Sequence, residues 1–216
     1  MDTEFKKRIL TSLLIIPFSL FFIIQGSLFF LIFLIFFLTI SVYEWLNMNK
    51  NKLVKFIGVI YLLFTFYFTY LLRTDAGLSA FLLILLICVF TDLGGYTFGK
   101  LFKGPKLTKI SPKKTYAGVY GGIIFSIIAG LVYVKYQTFF GILKTSFFLE
   151  NNFNLILIIL LISVISQIGD LVISYFKRLS KIKNTGNLLP GHGGILDRID
   201  GIIFAIPFSY ALLTYL

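Results

Sequence analysis

Residues with chemical potential gather between Gly169 and Asp200, in the stretch GDLVISYFKRLSKIKNTGNLLPGHGGILDRID. It holds three of the nine acidic residues, the only histidine and five Lys or Arg. Apolar segments lead into it and out of it, and charge at the mouth of two hydrophobic segments is costly unless something binds there. Ser163, Ser166, Gln167, Asp170, Ser174, Lys177 and Arg178 recur at spacings of three and four, which places them on one helical face. A polar stripe on an apolar helix must face protein or water. Interhelical hydrogen bonding accounts for Ser163 and Ser166. Asp170 and Lys177 are far apart for an intrahelical salt bridge, and a binding face suits them better.

Asp197 and Asp200 project from the same side of the first turn of the last helix. Acids at a helix N-terminus are ordinary caps, each worth about 0.3–1 kcal/mol. Against capping alone stand Arg198 between them and the loop Pro190-Gly191-His192-Gly193-Gly194 before them. Such a loop lets backbone amides approach an anion closely. No second His or Cys lies nearby, so zinc is rejected. Mg²⁺ needs only one or two carboxylates plus substrate phosphates and waters. Phosphoryl and nucleotidyl transfers need little beyond positioning and charge neutralisation. Asp170 and Asp197 are therefore the expected Mg²⁺ ligands, with a second, monovalent cation as an option. Lys177, Arg178 and Asp200 complete the expected catalytic set, Asp200 as an orienting partner for Arg198 or a bound water.

A second basic cluster precedes it. The loop from Lys100 to Lys114 has six lysines and no acid, which topology and attraction to anionic headgroups explain. They do not explain Ser111-Pro112-Lys113-Lys114-Thr115. Two adjacent ammonium groups flanked by two hydroxyls just before a helix suit a polyphosphate.

The elements that must position these groups are membrane helices. Of the 216 residues, 58% are hydrophobic and only 13% charged, unlike a soluble domain. Apolar runs predict an all-α polytopic integral membrane protein of about seven transmembrane helices, near 9–25, 27–46, 53–72, 77–98, 117–134, 154–179 and 199–216. The whole chain, 1–216, reads as a single membrane-embedded catalytic domain. The N-terminal Lys6-Lys7-Arg8 and apolar run resemble a secretory signal, but another apolar run follows at once, so an uncleaved first span is expected. With the N-terminus cytoplasmic, 17 of the 20 basic residues fall in cytoplasmic segments, and only Arg73, Lys135 and Lys144 do not. The net charge of +11 thus speaks for topology and anionic lipid, and nucleic acid is not an expected partner. The single Cys88 lies inside a span and forms no disulfide framework. Pro17 and Pro207 read as kinks, Trp45 as an interface anchor, and Gly95-xxx-Gly99 as helix packing. The segment 139–149 is too short to cross and reads as interfacial. Glu44 stands among apolar residues, where it lines the site or pairs with a loop lysine; the sequence leaves it unassigned.

Gly169-Asp170-Leu171, Ser174, Lys177-Arg178, Lys183, Gly186, Pro190-Gly191-His192-Gly193-Gly194 and Asp197-Arg198-Ile199-Asp200 together resemble the signature of the phosphatidate cytidylyltransferases. Ser111-Pro112-Lys113-Lys114-Thr115 with Gly118 is similar to that family's upstream motif, and Asp92, Tyr96 and Gly99 match a further element of it. The resemblance implies a multi-span, helical, dimeric enzyme at the cytoplasmic face of the cell's inner membrane. CTP and phosphatidate would be its substrates, with CDP-diacylglycerol and pyrophosphate as products. It also implies substrate contacts from Ser111, Lys113, Lys114, Thr115, Ser174, Lys183, His192, Gly193, Gly194 and Arg198. The chain departs from the pattern at Ile173, where glutamate is usual, at Asn184, where aspartate is usual, and at Tyr116, where tryptophan is common. Two alternatives stay open: a CTP-dependent enzyme acting on another lipid, or a catalytically impaired homologue that binds lipid or supports assembly.

Overall fold

The computed structural model describes residues 3–108, 111–139, 152–188 and 193–215. Six long helices come first: α1 (Thr3–Gln25), α2 (Ser27–Met48), α3 (Lys52–Asp75), α4 (Gly77–Phe102), α5 (Tyr116–Phe139) and α6 (Asn152–Leu179). A single turn, α7 (Leu196–Ile199), and the shorter α8 (Ile202–Tyr215) follow. α2 through α6 are each long and apolar enough to cross a membrane, while α8 and the apolar part of α1 are shorter. The protein is an all-α, multi-pass membrane protein, and the expected last span is divided at Asp200-Gly201 into α7 and α8. Leu28, Ile32, Ile57, Phe64 and Tyr67 stand exposed on outer faces. Such surface would be an aggregation hazard in water and is ordinary against lipid.

Two local devices shape the bundle. α4 and α5 make its most intimate pairing, and glycines permit it. A Cβ on Gly94 would lie 2.4 Å from the Gly121 carbonyl oxygen, and one on Gly118 would lie 2.8 Å from that of Gly95. Small residues on both helices let the backbones touch, so Gly95 packs as expected and finds its partner on α5. The second device concerns Pro207, which cannot donate to the carbonyl of Ile203 one turn back. Thr65 and Tyr61 of α3 donate to that oxygen instead, at 3.0 and 3.2 Å. The kink is thereby tied to a neighbouring helix.

Trp45 departs from its expected role. It is 5% exposed, sits edge-on to Phe176 with centroids 5.1 Å apart, and donates its indole N–H to the carbonyls of Val54 and Lys55. It is a packing residue between α2, α3 and α6. The physical cause is Gly58, whose missing side chain leaves the space the indole fills. Ser163 accepts a hydrogen bond from Thr91 at 2.9 Å, the interhelical contact expected of it. The segment 140–151 falls outside the described residues, which leaves the interfacial reading of 139–149 there.

Candidate active site

Antiparallel neighbours bring the C-terminal ends of α2, α4 and α6 to the same end of the bundle as the N-terminal ends of α5 and α7. There a cavity of about 530 Å³ opens between α4, α5, α6 and the 103–115 loop. Ser111, Lys113, Lys114 and Thr115 line it from the loop, Asp92 and Tyr96 from α4, Gln167, Asp170 and Ser174 from α6, and Arg198 from α7. The two sequence motifs, more than fifty residues apart, thus share one concavity.

The loop is folded back on itself rather than loose. Leu107 N–H donates to Lys114 O at 2.8 Å, Tyr116 N–H to Pro105 O, and Lys106 pairs with Thr115 as an isolated antiparallel bridge. Thr115 then caps α5 by accepting from Gly118 N–H at 3.1 Å. This fixes Lys113 and Lys114 at the helix entrance. Lys114 reaches across to form an ion pair with Asp170 at 2.5 Å, and Ser174 donates to the other Asp170 oxygen at 3.3 Å. Asp170 pairs with the upstream loop, not with Lys177.

Lys177 has a different partner. Its ammonium lies 2.8 Å from Asp197 Oδ1 and 3.9 Å from Asp200 Oδ2. The other oxygen of Asp197 accepts from Thr185 N–H at 2.8 Å and from Gly194 N–H at 3.1 Å. Asp200 sits in the turn ahead of α8. Its Oδ1 accepts from Gly201 N–H at 3.0 Å.

The two expected Mg²⁺ ligands, Asp170 and Asp197, hold different groups in this structure. Asp197 is filled by an ammonium and two amides and does not line the cavity, whereas Asp170 and Asp92 both do. Among the described residues, no cluster of three or more metal-ligating side chains forms. Two carboxylates beside hydroxyls nonetheless make a hard-oxygen set that suits Mg²⁺ completed by substrate phosphates and water.

Arg178 and Lys183 are exposed and do not line the cavity; Arg178 donates to Ile182 O at 3.3 Å, near the end of α6. Gly193 and Gly194 are buried beside Asp197, and Gly193 takes φ +86°. His192 lies outside the described residues, with Pro190 and Gly191. Ile173 is buried at 3% exposure in an apolar setting with Trp45, Phe176 and Leu196, so its apolar character suits its place. Asn184 packs against Gly193.

Two carboxylates that composition and spacing did not place join this end of the bundle. Asp92, exposed to the cavity, matched an element of the family resemblance but was given no role. Among the described residues Glu44 pairs with no loop lysine: it is 2% exposed and accepts from the Thr185 hydroxyl and the amides of Ile195 and Leu196. The one signal in the sequence was a carboxylate standing in an apolar helix.

Residues 53–216 match the cytidylyltransferase family. The chain belongs to that family. A phosphatidate cytidylyltransferase of Rickettsia conorii is 32% identical over 213 residues, covering 97% of this chain and 91% of that protein. One from Rickettsia typhi is 36% identical over 177 residues, covering 80% and 76% respectively. One from Staphylococcus haemolyticus is 40% identical over 160 residues, which is 72% of this chain but 56% of that longer protein. The family match takes in both motifs that line the cavity. Glu44 lies upstream of it.

Proposed function

We propose that this chain is a phosphatidate cytidylyltransferase that converts CTP and phosphatidate to CDP-diacylglycerol and pyrophosphate. The observation that carries the reading is the single cavity in which Lys113, Lys114 and Arg198 meet Asp92 and Asp170. Membership of the cytidylyltransferase family and the relatives' names supply the substrate class.

A phosphate monoester is mostly dianionic near neutrality, its second pKa being about 6. Attack by phosphatidate on CTP therefore needs no strong general base. A phosphatidate oxygen forms the new bond to the α-phosphorus of CTP, the bond from that phosphorus to the β-bridging oxygen breaks, and pyrophosphate leaves with the electron pair. The obstacle is the repulsion between two polyanions. Lys113, Lys114 and Arg198 neutralise phosphate charge, while the hydroxyls of Ser111, Thr115 and Ser174 donate to phosphate oxygens. Mg²⁺ held by Asp170 with Asp92 would supply further charge neutralisation at those oxygens. The Lys177–Asp197 pair ties Thr185 and Gly194 to α6.

The basic asymmetry supports an N-terminus and cavity on the cytoplasmic side of the cell's inner membrane, where CTP is found. A homodimer rests on the resemblance alone. The test is CTP turnover by purified Asp170→Asn and Lys114→Ala. Each should lose about 10²–10³ in rate, the usual cost of one element of transition-state charge stabilisation. Parent-level turnover in both would remove the cavity from the reaction.

A further inference from the structure

We propose that Glu44 is a positioning residue of this site, which sets the Asp197–Lys177 pair by gripping both ends of the 185–196 loop. The inference rests on the reading of this bundle end as a nucleotidyl-transfer site. Glu44 sits in α2, outside the cavity and upstream of the family match. Burying a carboxylate costs several kcal/mol unless hydrogen bonds satisfy it. A leucine there would pack the bundle without that cost, but it would not orient a loop.

The donors show what the carboxylate orients. Glu44 Oε1 accepts from Ile195 N–H at 2.9 Å, and Oε2 accepts from Leu196 N–H at 2.8 Å and from Thr185 Oγ1 at 2.9 Å. Thr185 also donates its backbone N–H to Asp197 Oδ2 at 2.8 Å, and Gly194, next to Ile195, donates to the same oxygen at 3.1 Å. Both ends of the loop are thus shared between the two carboxylates. A movement that releases Glu44 also withdraws the amides that hold Asp197, whose other oxygen holds Lys177 at 2.8 Å. The fit leaves no slack, since a Cβ on Gly186 or Gly194 would lie 2.6 or 2.4 Å from a Glu44 oxygen. Lys177 in turn stands on the face of α6 that carries Asp170 and Ser174 into the cavity. Glu44 therefore acts on the site through Asp197 and Lys177 and touches no substrate.

The experiment uses the full chain in detergent, as parent, Glu44→Gln, Asp197→Asn and the double variant. Two readouts are taken: kcat and KM for CTP with phosphatidate, and acylation of Lys177 by an amine-reactive reagent, measured by peptide mass analysis. Glu44→Gln keeps the size but turns an amide donor toward backbone N–H groups. Its kcat should fall by about 10²-fold, the scale of a small misplacement at a reacting centre, with KM for CTP changed little. The double variant should be no slower than the worse single one, because groups acting through one another are non-additive. Lys177 should become more reactive in Glu44→Gln, as in Asp197→Asn. Multiplying losses, or Lys177 reactivity unchanged from the parent, would overturn the proposal. A parent that forms no CDP-lipid would defeat the functional reading, and the acylation comparison would still decide whether Glu44 sets Lys177. If Glu44→Gln does not fold, Thr185→Val removes one of the three Glu44 contacts and takes its place with the same two outcomes.

Discussion

Replacing Asp197 by Asn separates a helix cap from a buried ion-pair partner. A cap would hardly notice the change, since asparagine caps as well as aspartate, and the cost would stay well under about 1 kcal/mol. The structure implies more. The asparagine oxygen can keep the amides of Thr185 and Gly194, but its NH₂ then faces the Lys177 ammonium, donor against donor. The Lys177 and Asp197 side chains are 11% and 7% exposed, so water does little to compensate. Removing one partner of a buried pair typically costs about 3–5 kcal/mol. Asp200, 3.9 Å from the same ammonium, retains part of the attraction and places the expected loss near about 3 kcal/mol. The assay is reversible unfolding of the detergent-solubilised protein, with Lys177→Met and the double variant completing a cycle. The double variant should be less destabilised than the sum of the single ones by about 1–3 kcal/mol, as expected for residues in direct contact. A loss below about 1 kcal/mol for Asp197→Asn, with an additive cycle, would refute the ion-pair reasoning.

Gly94→Ala should destabilise the protein by about 1–3 kcal/mol, because its Cβ would press on the Gly121 carbonyl at 2.4 Å; thermal unfolding measures this. Thr65→Val should cost roughly 0.6–1.5 kcal/mol by the same assay, since it removes a donor from the Ile203 carbonyl that Pro207 leaves free. Single cysteines near Lys103 and Lys183 should be shielded from an impermeant thiol reagent in intact cells, while one near Lys144 should react. External labelling at Lys183 would reverse the orientation.

The helices were legible because apolar runs of span length leave few alternatives, and the breaks at Gly26, Asn49 to Asn51 and Ala76 carry local turn signals. The convergence of Lys113 and Lys114 with Asp170 and Arg198 was legible through two motifs, although spacing named no partner for Asp170 or for Lys177. Those partners were hidden for a physical reason. Along one helix the sequence gives the face of a carboxylate, but its partner is chosen by the helix packed opposite, here the α5 entrance for Asp170 and the 185–196 loop for Asp197. Trp45 and Glu44 were misjudged or unassigned on the same ground. Each is defined by glycines and amides distant in sequence, Gly58 for the indole and residues 194 to 196 for the carboxylate.

The central claim is tested most directly by following the label of [α-³²P]CTP supplied with phosphatidate to the purified parent protein, with Mg²⁺ and with excess chelator. The account predicts that label enters the lipid as CDP-diacylglycerol, that unlabelled pyrophosphate is released in equal amount, and that both stop when Mg²⁺ is withdrawn. Label remaining in water-soluble CDP while phosphate passes to a lipid acceptor, or no transfer to lipid at all, would contradict it.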